Sequence, residues 1–111
     1  MEITWSDFEK IDIRVGTIVA AQEFLKARKP AYQLSIDFGD ELGIRRSSAQ
    51  ITTHYTPDGL VGMQVVAVVN FPAKQIANFV SQCLVLGVVG TDGAVVLLQP
   101  TQGVPNGLRI A

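Results

Sequence analysis

The chain has 111 residues, 48% of them apolar and 17% charged, with a formal net charge of −1. That supplies one core and a single domain over residues 1–111. It excludes a membrane span of ~18 uninterrupted apolar residues, an intrachain disulfide, since Cys83 is the only cysteine, and any class built on strong net charge. The start, Met1 to Asp7, has no basic stretch followed by an apolar one. A soluble, unexported, cytoplasmic protein with no membrane insertion is therefore expected. Charge content well below the roughly 25% of ordinary soluble domains hints at a buried subunit interface. A monomer with a surface rich in Ser, Thr, Gln and Asn satisfies the same figure.

Thr4 offers an N-cap for a short helix through Lys10, with Asp7 placed to complete a capping box and Ile3 and Phe8 spaced as a hydrophobic staple. Two turns are too few to stand alone, so Trp5 and Phe8 must pack on something. Ile11, Ile13 and Val15 then alternate with period two, and past Gly16 the apolar series continues on the other parity at Ile18 and Ala20. A strand that changes face at a glycine bends, as the long first strand of a small barrel must. Tyr32, Leu34, Ile36 and Phe38 alternate with Gln33, Ser35 and Asp37, the clearest strand of the chain.

Gly39 to Gly43 reads as the turn into a third, polar strand, Ile44 to Ile51, which carries Arg45, Arg46, Ser47, Ser48 and Gln50. Thr56 followed by Pro57 predicts a turn of helix before Gly62. Val65 to Val69 and Leu84 to Val89 read as buried strands, and residues 70–82 between them as a loop. Asp92-Gly93 marks a hairpin into Ala94 to Leu98, and Pro105-Asn106-Gly107 a last turn before Leu108-Arg109-Ile110. These elements predict an all-β fold: an OB-like closed five-stranded β-barrel with a short N-terminal helix and C-terminal extension strands.

Charge is unevenly placed. Segments 25–31, 44–56 and 70–82 hold Lys26, Arg28, Lys29, Arg45, Arg46 and Lys74 and no acid, whereas all ten acidic residues lie elsewhere. In the expected barrel these segments are the first inter-strand loop, the third strand with its exit, and the loop between strands four and five. That is the surface with which OB-folds bind oligonucleotides. Tyr32, Tyr55 and Phe71 are the rings nearby that could stack on bases. Ordinary solvated loops account for the clustering equally well, and six phosphate contacts would give a salt slope of only about −4 to −5.

Catalytic and metal chemistry find little footing. His54 is the only histidine and has no evident partner for nucleophilic catalysis. One Cys and one His form no zinc pattern, and no glycine-rich phosphate loop is present. No enzyme, cofactor or metal is expected, and Cys83, in an apolar run, reads as a packed core thiol.

Asp12-Ile13-Arg14-Val15-Gly16-Thr17-Ile18 resembles the opening motif of the tRNA-binding domains appended to some methionyl-tRNA synthetases. Asn70-Phe71-Pro72-Ala73-Lys74-Gln75-Ile76 and Ser81-Gln82-Cys83-Leu84 resemble their later signature. Within that superfamily, Lys26-Ala27-Arg28-Lys29-Pro30-Ala31-Tyr32, Ser47 to Thr52 and Val69 to Pro72 resemble the CsaA-type export chaperones. The synthetase-type domains carry a His-Pro-x-Ala-Asp-like segment where this chain has Ala27 to Ala31.

The resemblance implies a homodimer that binds unfolded or presecretory polypeptides, with tRNA as a further partner. For nucleic acid it points to Arg14, Lys26, Arg28, Lys29, Arg45, Arg46, Asn70, Lys74 and Ser81. A peptide cleft would use Phe71, Pro72 and Ile76, with Phe79 and Val80 beside them; Phe79 and Ile76 are expected to pack inward and Phe71 to stay partly exposed. Trp5, Phe8 and Ile110 are the dimer candidates. A free-standing tRNA-binding protein is the alternative.

Overall fold

Strand alternation translates directly into the core. In the computed structural model, which describes residues 1–111, Tyr32, Leu34 and Ile36 of the second strand are buried while the residues between them are half-exposed. In chain order the elements are α1 (Trp5–Glu9), β1 (Ile13–Glu23), β2 (Tyr32–Asp37), α2 (Gly39–Leu42), β3 (Ile44–Ala49), α3 (Pro57–Leu60) and β4 (Gln64–Val68). Then follow β5 (Lys74–Ile76), β6 (Phe79–Ser81), β7 (Leu84–Val85), β8 (Gly87–Val89) and β9 (Val95–Leu97). The five-stranded sheet runs β3-β2-β1-β4-β7, each neighbouring pair antiparallel.

β1 serves two cores. Ile13 packs with Val66 and Val68 of β4 on one face, and Ile18 joins Val65, Ala67, Leu34, Ile36 and Phe38 on the other. The change of parity falls at Val15 and Gly16, both buried. Gly16 is there for room: a Cβ would lie 2.6 Å from Ile36 Cγ2 and 2.7 Å from the Phe38 ring. The irregularity in pairing comes later than the glycine suggests. β1 shifts register against β2 between Ile18 and Ala20, a bulge that leaves Ala20 exposed and turns Ala21 onto the core instead.

The barrel closes between β3 and the segment 81–83 without a ladder. Gln82 N–H donates to the Arg46 carbonyl at 2.7 Å. Side chains supply the rest: Arg46 N–H to Gln82 Oε1, Ser48 N–H to Ser81 Oγ, and Ser47 Oγ to the Cys83 carbonyl at 2.9 Å. Ser47 is the one buried polar residue, and its hydroxyl is satisfied at this seam.

The predicted helix signals hold. Thr4 and Asp7 form the reciprocal capping box, and Thr56 Oγ1 accepts from Gly59 N–H ahead of Pro57 at the helix start. Four expectations are corrected. Gly39 to Gly43 includes a helical turn. The third strand ends at Ala49 rather than Ile51, although Ile51 remains in the core. Residues 70–82 contain a hairpin, β5–β6, whose two-residue turn is carried by Ala77 at φ +51°, so no Gly or Asp-Gly announced it. Leu84 to Val89 splits into β7 and β8 at Leu86, whose N–H donates to the Val66 carbonyl, and Leu84, Val88 and Val89 are exposed. The β8–β9 hairpin lies outside the five-stranded sheet, and of its strand residues only Leu97 is buried.

The C-terminal tail lies along the start of β1, with Ile110 N–H donating to the Ile13 carbonyl and Gly107 N–H to the Val15 carbonyl. Gly107 has φ +93°, and a Cβ there would lie 2.4 Å from the Phe38 carbonyl oxygen.

Candidate functional site

Three stretches distant in sequence form an open groove of about 1300 Å³. The β1–β2 loop lines it with Lys26, Ala27, Arg28 and Lys29. Phe71 to Ala77, taking in all of β5, lines it as well. Ala31, Ala49, Ile51 and Cys83 form the floor with Ser48 and Ser81. The volume exceeds the ~300–1,000 Å³ of small-molecule pockets, so the shape suits a length of polymer.

The two sets of candidates drawn separately from the sequence meet here. Lys26, Arg28, Lys29, Lys74 and Ser81 line the groove together with Phe71, Pro72 and Ile76. Phe71 is 56% exposed, whereas Phe79 is buried and Ile76 half-buried in a cluster with Phe24, Ala27 and Ala31. Val80, on the other face of β6, is exposed. The chain's only ion pairs are Lys10–Asp7 and Arg14–Asp12, so the four groove cations are all unpaired, and no carboxylate lines the groove. Ser81 Oγ accepts from Ser48 N–H, which ties the hairpin to β3.

Other candidates lie elsewhere. Arg14 is not brought into the groove: its Nε donates to Asp12 at 2.6 Å and its Nη1 to the Gly107 carbonyl at 3.0 Å. The hydrogen bond to Asp12 raises its affinity for its proton further, against a smaller cost of burial. Asn70 is likewise committed, accepting from Asp12 N–H and donating to the Lys10 carbonyl. Arg45 donates to the Val69 carbonyl at 2.7 Å. Arg46 lies 4.2 Å above the Phe79 ring, behind the hairpin.

Two of the three rings expected to stack are structural. Tyr32 is buried and donates its hydroxyl to the Tyr55 carbonyl, and the Tyr55 hydroxyl accepts from Leu97 N–H. Phe71 alone is free. His54 is exposed, edge-on to Tyr55, far in kind from a catalytic pair. Cys83 is buried, and desolvation pushes its thiol up to about 11 despite the Ser47 hydrogen bond, which agrees with an inert thiol.

The dimer candidates share one side. Phe8, Leu86 and Ile110 pack on the Ile13–Val66–Val68 cluster. Trp5 is 87% exposed at the edge of a crevice of about 410 Å³ shared with Ile3, Thr4, Phe8 and Ala111. Val88 and its cross-strand partner Val96 are exposed as well. The sequence reading missed these two because a short apolar run does not say which face is covered.

Comparison with known proteins places this geometry. Residues 13–109 match the family described as "Putative tRNA binding domain". The methionine–tRNA ligases of Chlorobium phaeobacteroides and Chlorobaculum tepidum are 36% and 38% identical over 97% and 99% of the chain. The chain spans only 15% of the length of these curated relatives. Among solved structures, chaperone CsaA from Bacillus anthracis matches with a TM-score of 0.95 at 53% identity over 100% of both chains. The CsaA chaperone protein from Picrophilus torridus matches at 0.91 and 55% identity, over 99% of this chain and 100% of that one. A MetRS related protein from Pyrococcus horikoshii matches at 0.85 and 29%, over 100% of both. The chain therefore belongs to the tRNA-binding-domain family and, within it, is of the CsaA type.

Proposed function

We propose that this CsaA-like, non-enzymatic protein is a homodimeric cytoplasmic chaperone whose groove takes extended segments of unfolded or presecretory polypeptide. The observation that carries the reading is the convergence of Phe71, Pro72 and Ile76 with four unpaired cations around one polymer-sized groove. Apolar contacts would supply affinity, and the cations would steer encounter. Two solved structures that match this chain over nearly its whole length, at 53% and 55% identity, are both described as chaperones.

Dimerisation rests on the exposed Trp5 and Ile3 and the crevice beside Ala111; a second copy would cover apolar surface that water otherwise meets. The test is anisotropy of a labelled, reduced and carboxamidomethylated polypeptide that cannot fold, titrated with the protein, beside sedimentation of the protein alone. Saturable binding by a dimer is expected; indifference to the unfolded chain rejects the reading.

A tRNA-binding role is the second reading, favoured by the absence of any carboxylate among the groove's cations. Here Lys26, Arg28, Lys29 and Lys74 would meet phosphates and Phe71 would stack on a base. Labelled bulk tRNA, titrated at two salt concentrations, decides it: binding should weaken with salt and collapse in an Arg28→Ala/Lys29→Ala/Lys74→Ala variant.

A further inference from the structure

The free edge of β5 forms part of the groove. β5 pairs only with β6, and β6 is held against β3 through Ser48 N–H to Ser81 Oγ and, just beyond the strand, Gln82 N–H to the Arg46 carbonyl. The outer side of β5 therefore has no strand beside it. Ile76 faces Phe79 across a two-residue turn, and in such a hairpin the closing pair exchanges both backbone bonds, so pairs alternate. Gln75, opposite Val80, consequently turns its N–H and C=O away from β6. Its side chain donates to the Ala77 carbonyl at 2.9 Å, which braces the turn and leaves that backbone pair for another partner. An unpaired edge of this kind is a template for a further strand.

We infer that the groove binds its polypeptide as an added strand on the edge of β5, and that it selects segments that combine apolar residues with carboxylates. This rests on the polypeptide-binding reading. An added strand runs along Lys74, Gln75 and Ile76, with main-chain bonds to Gln75. Its side chains then alternate between the two faces of the extended hairpin. Lys74 and Ile76, two residues apart, share one face of β5, so the set on that face meets the apolar cluster around Ile76 and Phe24 and the Lys74 ammonium together. Lys26, Arg28, Lys29 and Lys74, with no carboxylate among them, complement acidic side chains and repel basic ones.

The test uses the whole protein and fluorescein-labelled nine-residue peptides that alternate Val with Glu, Val with Gln or Val with Lys. The Glu peptide is expected to bind about tenfold tighter than the Gln peptide and tighter still than the Lys peptide, with the differences closing at high salt. An Arg28→Glu/Lys29→Glu variant, which leaves Lys26 and Lys74 balanced by two carboxylates, levels the three affinities without abolishing binding, which a change in folding alone would not do. N-methylation of one alternating set of peptide nitrogens abolishes binding, while methylation of the other set is tolerated, because a single edge uses every second N–H.

Equal affinity for the Glu and Lys peptides overturns the selectivity, and tolerance of both methylated sets overturns strand addition. If the unfolded carboxamidomethylated polypeptide binds while the Glu peptide does not, this inference alone fails. If neither binds, the chaperone reading fails with it.

Discussion

Two regions of this molecule are built from the same residue types and do opposite things with them. Where the C-terminal tail crosses β1, Arg14, Asn70, Gln64, Asn106 and Arg109 are each tied to the chain: Arg14 to Asp12 and Gly107, Asn70 to Asp12 and Lys10, Gln64 to Val104, Asn106 to Thr17, Arg109 to Glu9. Around the groove, Lys26, Arg28, Lys29 and Lys74 have no acidic partner. An arginine or asparagine is thus an anchor or a ligand contact according to what else reaches it. The contrast makes the tail region a clasp and leaves the groove's cations uncommitted, as the proposed binding role requires.

Changes at the clasp should cost stability and spare binding; changes at the groove should do the reverse. The largest expected effect is Gly107→Ala, where a positive φ and a Cβ 2.4 Å from the Phe38 carbonyl oxygen coincide. A loss of about 3 kcal/mol is expected from strain plus overpacking, read by urea denaturation, with ligand affinity unchanged in the folded fraction.

Cys83 sharpens the comparison because it lies at the groove floor yet behaves as core. Its thiol is pushed up to about 11 when folded, against 9.0 for an ordinary one. Between those values the unfolded chain releases its proton first. The contribution is therefore fully present below pH 9 and is lost as pH rises toward 11. Relative to Cys83→Ala, the native protein should lose roughly 2 kcal/mol across that window, followed by denaturation at each pH.

Replacing Lys26, Arg28, Lys29 and Lys74 by Gln together should leave the melting temperature nearly unchanged. If the groove also takes tRNA, the slope of log affinity against log salt should flatten by about 3. A drop in stability instead would mean that these cations, too, are anchors. Asp12→Ala, at the partly exposed clasp pair, is expected to cost about 1 kcal/mol and to leave groove binding alone. The smallest effect is Ala77→Gly, which relieves a left-handed alanine at φ +51° and should stabilise by about 0.5 kcal/mol, measured by the shift in denaturation midpoint.

Local features were legible in the sequence. The capping box at Thr4, the Thr56-Pro57 start and the alternation of Tyr32 to Phe38 depend on neighbours a few residues apart, and they stand as read. The barrel class and the gathering of positive charge were legible for the same reason, as both follow from patterns along the chain. Partner choice was not. Asn70 meets the Asp12 amide 58 residues away, and Arg14 meets Gly107 93 residues away, so their motif positions suggested contacts that the fold directs elsewhere. Tyr32 and Tyr55 were misread in the same way, each hydroxyl being taken up by backbone. The β5–β6 hairpin escaped notice because alanine sits where a glycine would have signalled the turn.

The seam beside β3 carries a consequence of its own. One backbone bond and a few serine and glutamine contacts fasten residues 81–83 there, and Phe79 and Ile76 seat the hairpin ahead of them on Phe24 and Ala31. Its outward residues Lys74, Gln75 and Val80 can be rewritten without disturbing the interleaved interior of β1, β2 and β4. Ligand preference is then free to drift across generations while the scaffold that presents it stays fixed.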